Sequence, residues 1–263
     1  MSDIELRVKE IKEKLKVFDG VNFNEAKHEY TYNGVKARIS MTGLVSKYKN
    51  YFNQELQAKR YAAKHKLDYN DVLVEWRFKA VRSTTKGTAI HKYLEDRFTT
   101  GNIYIPRFEN LAKYDVTKEH WKTLTEQADS LRKTISSHLI VLGSEVKVFD
   151  PDTGVGGAID LLVYHPGLDE IFIIDYKSNG KIEKQNLYNK FMKDPLGHLP
   201  DTNFVHYSLQ TNGYQHIIEK RTGLKLRNNH FLAHINEDND GYVLIPTADL
   251  LSEASLIIDS FNG

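Results

Sequence analysis

The chain contains no cysteine, an absence that removes disulfides, zinc–thiolate centres and cysteine nucleophiles at once. A reducing, cytoplasmic compartment fits this composition. Proline is sparse, 6 residues in 263, and there is no internal repeat, low-complexity tract or clear domain linker. No run approaches the ~18 apolar residues that a membrane span needs. Residues 1–16 mix Glu and Lys, unlike a signal peptide or an acid-poor transit peptide. A Gly-x-Ser-x-Gly element and an ordered hydrolase triad are also missing, which leaves a Ser or His hydrolase without support. Net charge is small as well, +1 overall, but the balance hides an asymmetry. Between Lys47 and Lys86 there are 10 Lys/Arg against 4 Asp/Glu, whereas Asn228–Gly263 holds 6 Asp/Glu and no Lys or Arg. Two solvated helices of different charge produce such a count; so does a localised site for an anionic partner.

What is present reads as alternating helix and strand. Ile4, Val8, Ile11, Leu15 and Phe18 recur at helical spacing. From Phe23 to Ile39 the pattern is a β-hairpin turning at Asn33-Gly34, with His28–Tyr32 as its alternating arm. Either Ser40 or Thr42 is placed to cap the next helix. Leu44–Phe98 reads as mostly helical, its basic surplus interleaved with Tyr48, Tyr51, Phe52, Tyr61, Trp76 and Phe78. A helix through Trp121–Leu139 precedes three short strands, Ser144–Phe149, Ala158–Tyr164 and Ile171–Tyr176, which suggest an antiparallel meander. A helix through Leu209–Ile218, a strand pair at Phe231–Ile235 and Tyr242–Ile245, and a helix over Ala248–Ile258 complete the series. The expectation is a single α/β domain with helices around a mixed sheet. Its parts are an N-terminal helix, hairpin and basic helical segment (1–86), a core (87–246) and a C-terminal helix (247–263).

The chemistry concentrates in Gly157-Ala158-Ile159-Asp160 and in Ile171-Phe172-Ile173-Ile174-Asp175-Tyr176-Lys177. Alternation on a strand puts Asp175 and Lys177 on one side and Tyr176 on the other. Two carboxylates can hold one or two hard divalent cations, and a neighbouring ammonium offsets negative charge developing on a phosphodiester. A solvated Asp–Lys pair at a strand end is the alternative for Asp-x-Lys alone. His91 and Glu95 sit four apart on a helix expected to open at Gly87, so they share a face. An imidazole there makes Mn²⁺ an alternative to Mg²⁺; pairing of Glu95 with a nearby Lys or Arg is the bland alternative. Gln210 and Tyr214 are also four apart on a later helix, and alone they read as half-buried polar residues.

Taken in order, Gly-Thr-x-x-His-x-x-x-Glu (Gly87–Glu95), Gly-x-x-Asp (Gly157–Asp160), Asp-x-Lys (Asp175–Lys177) and Gln-x-x-x-Tyr (Gln210–Tyr214) resemble the motif series of RecB-like PD-(D/E)XK nucleases. His28-Glu29-Tyr30 with Arg38–Leu44 is similar to the leading segment of exonucleases like the mitochondrial genome maintenance exonuclease and its phage relatives. Here Arg38-Ile39 stands where those have a proline. The resemblance extends from about His28 to the final strands. It implies a restriction-endonuclease-like core and hydrolysis of DNA, single strands or free ends favoured, in a bacterial or phage setting of repair or recombination. It also implies one or two Mg²⁺ or Mn²⁺ ions held by His91, Asp160, Asp175 and the Tyr176 carbonyl. Lys177 would be the catalytic lysine, acting with Asp160, Asp175 and the helix carboxylate Glu95, and Gln210 and Tyr214 the border. Glu145 enters only as an outer contact, with a surface pair to Lys147 the plainer expectation. Ser40, Thr42, Lys59, Arg60 and Lys86 are assigned to substrate, the basic helices forming a covered path to the site. A structure- or site-specific endonuclease and a catalytically silent nucleic-acid-binding protein are the other readings of the same residues.

Overall fold

The computed structural model describes residues 2–27 and 29–262; His28, assigned above to the hairpin and to the leading segment, lies outside them. The chain opens with α1 (Asp3–Leu15) and a 3-10 turn over Lys16–Phe18. A reciprocal cap starts α1: the Ser2 hydroxyl accepts the Glu5 N–H at 3.3 Å, and the Glu5 carboxylate accepts the Ser2 N–H at 2.7 Å. The expected hairpin is three-stranded, β1 (Val21–Asn24), β2 (Glu29–Tyr32) and β3 (Val35–Lys36), all antiparallel. It turns at Asn33 and Gly34, both at positive φ (47° and 84°), as a two-residue turn requires. Next come β4 (Ile39–Ser40), α2 (Met41–Lys47), α3 (Gln54–His65), α4 (Tyr69–Thr99), α5 (Phe108–Ala112) and α6 (Lys118–His138). The meander follows as β5 (Ile140–Asp150), β6 (Val155–His165) and β7 (Glu170–Lys177). The remaining elements are α7 (Asn203–Thr222), β8 (Phe231–His234), β9 (Val243–Pro246) and α8 (Leu251–Asp259).

One of the two expected caps of α2 is used, and one expected helix start needs correction. Ser40, not Thr42, caps α2, its hydroxyl accepting the Gly43 N–H at 3.0 Å. The helix expected to open at Gly87 begins at Tyr69, capped by Asp68, and runs 31 residues. Glycine in mid-helix costs about 1 kcal/mol against alanine, but here it permits close packing. A Cβ on Gly87 would lie 3.2 Å from the Ser178 hydroxyl, just past the end of β7.

The fold is α/β, a mixed sheet between two layers of helices. β5–β6–β7 is the expected antiparallel meander, β8 joins β7 in parallel by way of α7, and β9 joins β8 antiparallel. One face buries Ile11, Met41, Leu44, Leu209, Ile217 and Ile257 from α1, α2, α7 and α8. The other buries Ile90, Leu94, Leu124 and Leu131 from α4 and α6. Each such side chain contributes about 1.5–3 kcal/mol when fully buried. β7 feeds both cores, Ile171 and Ile173 on the first side and Phe172, Ile174 and Tyr176 on the second. That is why its sequence is continuously apolar. The pairing α3 makes with the start of α4 rests on a small separate seam of Ala58, Ala62 and Val72. Among the described residues, no helix is long and apolar enough to cross a membrane.

Candidate metal centre

The site lies where the central sheet forks. β5 follows one edge of β6 along its whole length. The other edge is shared, with β4 beside Val155 and Gly156 and β7 beside Leu161–His165. Gly157–Asp160 occupy the gap. Gly157 is required here because Tyr214 of α7 packs directly against it: a Cβ would stand 2.6 Å from the ring and 2.8 Å from its hydroxyl.

At Asp160 the alternation of β6 changes phase. Ile159 belongs to the first core and Leu161, two residues on, to the second. β5 changes phase at the same level: Val146 packs into the first core opposite Ile159, and Ser144 lies opposite Leu161. Between them Glu145 has φ 51°, a left-handed conformation that a non-glycine residue adopts at a cost of about 1 kcal/mol or more. The Ser144 hydroxyl donates to the Asp160 carbonyl at 3.1 Å. Glu145 and Asp160 are thereby turned out of both cores and toward His91 on α4.

Ligand atoms of His91, Glu145 and Asp160 all lie within 4.8 Å of one another. The Nε2 of His91 is 3.0 Å from the Tyr176 carbonyl, so it carries the proton and donates; Nδ1 faces an Asp160 oxygen at 3.4 Å. The other Asp160 oxygen accepts the Tyr176 N–H at 2.6 Å. The imidazolium form, which Asp160 favours, faces that carboxylate with an Nδ1 proton; the neutral form turns a lone pair toward it. The nitrogen and the two carboxylates together could hold a metal ion. The charges register the crowding. Burial pushes the Glu145 carboxyl up to about 7, reinforced by the negative charge of Asp160. Burial opposes charge on Asp160 and on His91 too, but each favours the other's charged form, holding Asp160 low and His91 high.

Asp175 and Lys177 stand next to this cluster, on the α7 side of β7, with the ammonium in ion-pair contact with the carboxylate. Burial raises Asp175 to about 6 against the pull of Lys177. Lys177 is half-buried, and desolvation opposes its charge, but Asp175 and Asp160 outweigh it and raise its pKa, so it stays an ammonium. Its Nζ lies 4.5 Å from the centre of the Tyr207 ring. The chain just beyond is braced: buried Asn236 donates to the carbonyls of Ser178 (3.2 Å) and Asn179 (3.0 Å), and Gln127 donates to the Asn236 carbonyl at 2.9 Å.

No family model and no curated protein matches the chain. The geometry must speak for itself.

Of the residues expected at a metal, His91 and Asp160 are in the three-residue cluster, while Asp175 stands with Lys177 and the Tyr176 carbonyl is engaged by His91. Glu145, expected as an outer contact or a partner of Lys147, is the third member. A signal for it existed in the sequence. Counting outward from the Pro151–Gly154 turn, equal steps along both strands bring Glu145 opposite Asp160. Glu95 pairs with Lys92 at 3.0 Å, the bland alternative, yet its charge also bears on Glu145. Tyr214 is buried, and Gln210 donates to its hydroxyl at 3.2 Å. Lys59 and Arg60 are exposed, as a phosphate path needs, with Lys59 over the Tyr69 ring at 5.5 Å. Lys86 does not belong to that path. It is 3% exposed and bound to Glu237 at 2.5 Å, with Arg82 on the other Glu237 oxygen at 3.0 Å.

Proposed function

We propose that this chain is a divalent-metal-dependent nuclease that hydrolyses DNA phosphodiester bonds, with single strands or free ends as substrate and a restriction-endonuclease-like core as its frame. One observation carries the reading: His91, Glu145 and Asp160 converge at 4.8 Å or less beside an ion pair of buried Asp175 with Lys177. The ordered motifs that resemble RecB-like nucleases support it, as does the mixed sheet flanked by helices. Mg²⁺ or Mn²⁺, held by His91, Glu145 and Asp160 with Asp175 alongside, would neutralise phosphate charge and acidify a bound water. The chain's own groups do the rest. Asp160 and the Tyr176 carbonyl fix the orientation of the His91 ring. Lys177, kept cationic by its carboxylate neighbours, hydrogen-bonds the phosphate and offsets the charge developing on it. Tyr207 and Asp175 hold that ammonium in place. Lys59 and Arg60 draw the polyanion toward the fork.

The test uses end-labelled linear single- and double-stranded DNA and circular DNA, each with Mg²⁺, Mn²⁺ or EDTA. Cleavage of linear substrates that spares circles is expected. Cutting of circles would make the protein an endonuclease, and absence of metal-dependent cleavage on every substrate would remove the enzyme reading.

A further inference from the structure

Lys177 is followed by 25 residues, 178–202, that contain no helix or long strand before α7 begins. This segment is firmly anchored. Met192, Leu196 and Leu199 enter the first core, the Met192 N–H donates to the Leu199 carbonyl at 2.9 Å, and the Asp201 N–H donates to the Lys190 carbonyl at 2.9 Å. It is also tied to the stretch after α2. The Lys193 N–H donates to the Tyr48 carbonyl at 2.7 Å, the Asn50 N–H donates to Asp201 at 2.7 Å, and the Asn50 amide donates to the Phe191 carbonyl. Two exposed pairs of rings therefore sit on stretches that are tied together, Tyr51 and Phe52 on one, where the Phe52 ring also lies 6.3 Å from that of Trp76, and Tyr188 and Phe191 on the other. All four face water, at 81%, 59%, 83% and 52% exposure. Since Met192, Leu196 and Leu199 already anchor the segment, these rings are not needed to hold it down.

The surroundings are basic. Residues 47–53 and 178–202 together carry 6 Lys and no Arg, against 3 Asp/Glu. One of those three acids, Asp201, is already engaged by Asn50 and by His206 at 2.7 Å. Both ends of the segment return to the candidate centre: it starts at Lys177 and runs into α7, whose Tyr207 ring faces Lys177. Exposed rings among lysines, on a segment anchored in the core, suit a strand whose bases are unpaired, because every base offers a face for stacking and every linkage a negative charge. A duplex hides its base faces.

We infer that Tyr51, Phe52, Tyr188 and Phe191 form a stacking platform that receives single-stranded nucleic acid and delivers it to the Lys177 side of the fork. This rests on the nuclease reading only for the direction of delivery; the binding stands by itself. The test is anisotropy of a fluorescent oligothymidylate with the full chain in EDTA, over a range of salt. Tyr188→Ala/Phe191→Ala weakens binding at least about tenfold without changing the salt slope. Tyr188→Phe, which keeps the ring, and Leu256→Ser on α8 bind as the wild type does. Lys190→Ala/Lys193→Ala lowers the slope by about 1.4. Wild-type affinity in Tyr188→Ala/Phe191→Ala overturns the platform, as does failure of the wild type to bind the oligonucleotide. So does an altered oligomeric state in sedimentation with binding intact, which would make the rings a protein contact. Ring-dependent binding without metal-dependent cleavage leaves the platform standing and removes the nuclease; cleavage that ignores the rings does the reverse.

Discussion

Gly157→Ala tests how tightly the candidate centre is held by the helix behind it. The added Cβ would meet Tyr214 at 2.6 Å (Cε1), 2.8 Å (hydroxyl) and 3.0 Å (Cζ). Ordinary carbon contact begins near 3.4 Å, so the ring must retreat by about 0.8 Å. It has nowhere to go: Tyr214 is buried, and Leu209, Ile217 and Ile218 of the same helix are wedged into the first core. Overpacking of this kind costs about 1–3 kcal/mol. For a chain of this length that is a fall in melting temperature of roughly 2–4 °C per kcal/mol. Catalysis suffers separately. Asp160 is three residues along β6, and α7 also carries Tyr207 against Lys177; a 1 Å misplacement of reacting groups costs up to about 100-fold in rate. Urea and thermal denaturation of Gly157→Ala, Tyr214→Ala and the double variant give the answer. The double variant should be more stable than the sum of the single effects predicts, by about 0.5 kcal/mol or more. A Gly157→Ala protein within about 0.5 kcal/mol of the wild type, or strict additivity, refutes the packing argument.

Titration with Mn²⁺ followed by electron paramagnetic resonance should find His91→Ala, Glu145→Ala and Asp160→Ala each at least about tenfold weaker in affinity; an unchanged Glu145→Ala removes that residue from the ligand set. Lys86→Met should cost about 3 kcal/mol by stranding Glu237, partly relieved by Arg82, and leave the salt slope of DNA binding unchanged. Lys59→Glu/Arg60→Glu should do the opposite, weakening DNA binding and lowering its slope, and an unchanged slope excludes those side chains from the path. Buried His230 accepts the Ile173 N–H on Nδ1 (3.3 Å) and donates from Nε2 to Gln215 (3.0 Å), a neutral ring with both nitrogens in use. Burial, aided by the Arg227 charge, holds its pKa down to about 3. The unfolded chain takes up this proton near pH 6.5 and the folded chain does not, so stability falls as pH drops through that window. The contribution is up to about 1.4 kcal/mol per pH unit. His230→Gln should flatten urea stability between pH 6.5 and 4, and an unchanged slope there would show that another group sets it.

The elements were legible because periodicity and turn chemistry are local. The three meander strands, the Asn33-Gly34 turn and the long helices all follow from spacing in the chain. What escaped was set by tertiary contacts. Gly87 reads as a helix start until Ser178 packs against it. Lys86 reads as surface charge until Glu237, 151 residues away, buries it. Glu145 reads as a strand-face residue because a left-handed φ in mid-strand leaves no mark in composition. The rings of residues 187–191 lay in a stretch with no period to notice.

The matched phase change in β5 and β6 has a bearing on how the hairpin finds its alignment. In an ordinary two-stranded pairing, sliding one strand by a single residue turns every side chain to the wrong face, but sliding by two restores the facing and only shortens the ladder. Here a two-residue slide is also rejected, because the reversal at Glu145 would no longer sit opposite the reversal at Asp160, and apolar residues in between would be sent to the wrong core. The hairpin has one workable alignment. Two carboxylates that repel each other are thus brought together by the same alignment that sends Ile159 and Leu161 to opposite cores.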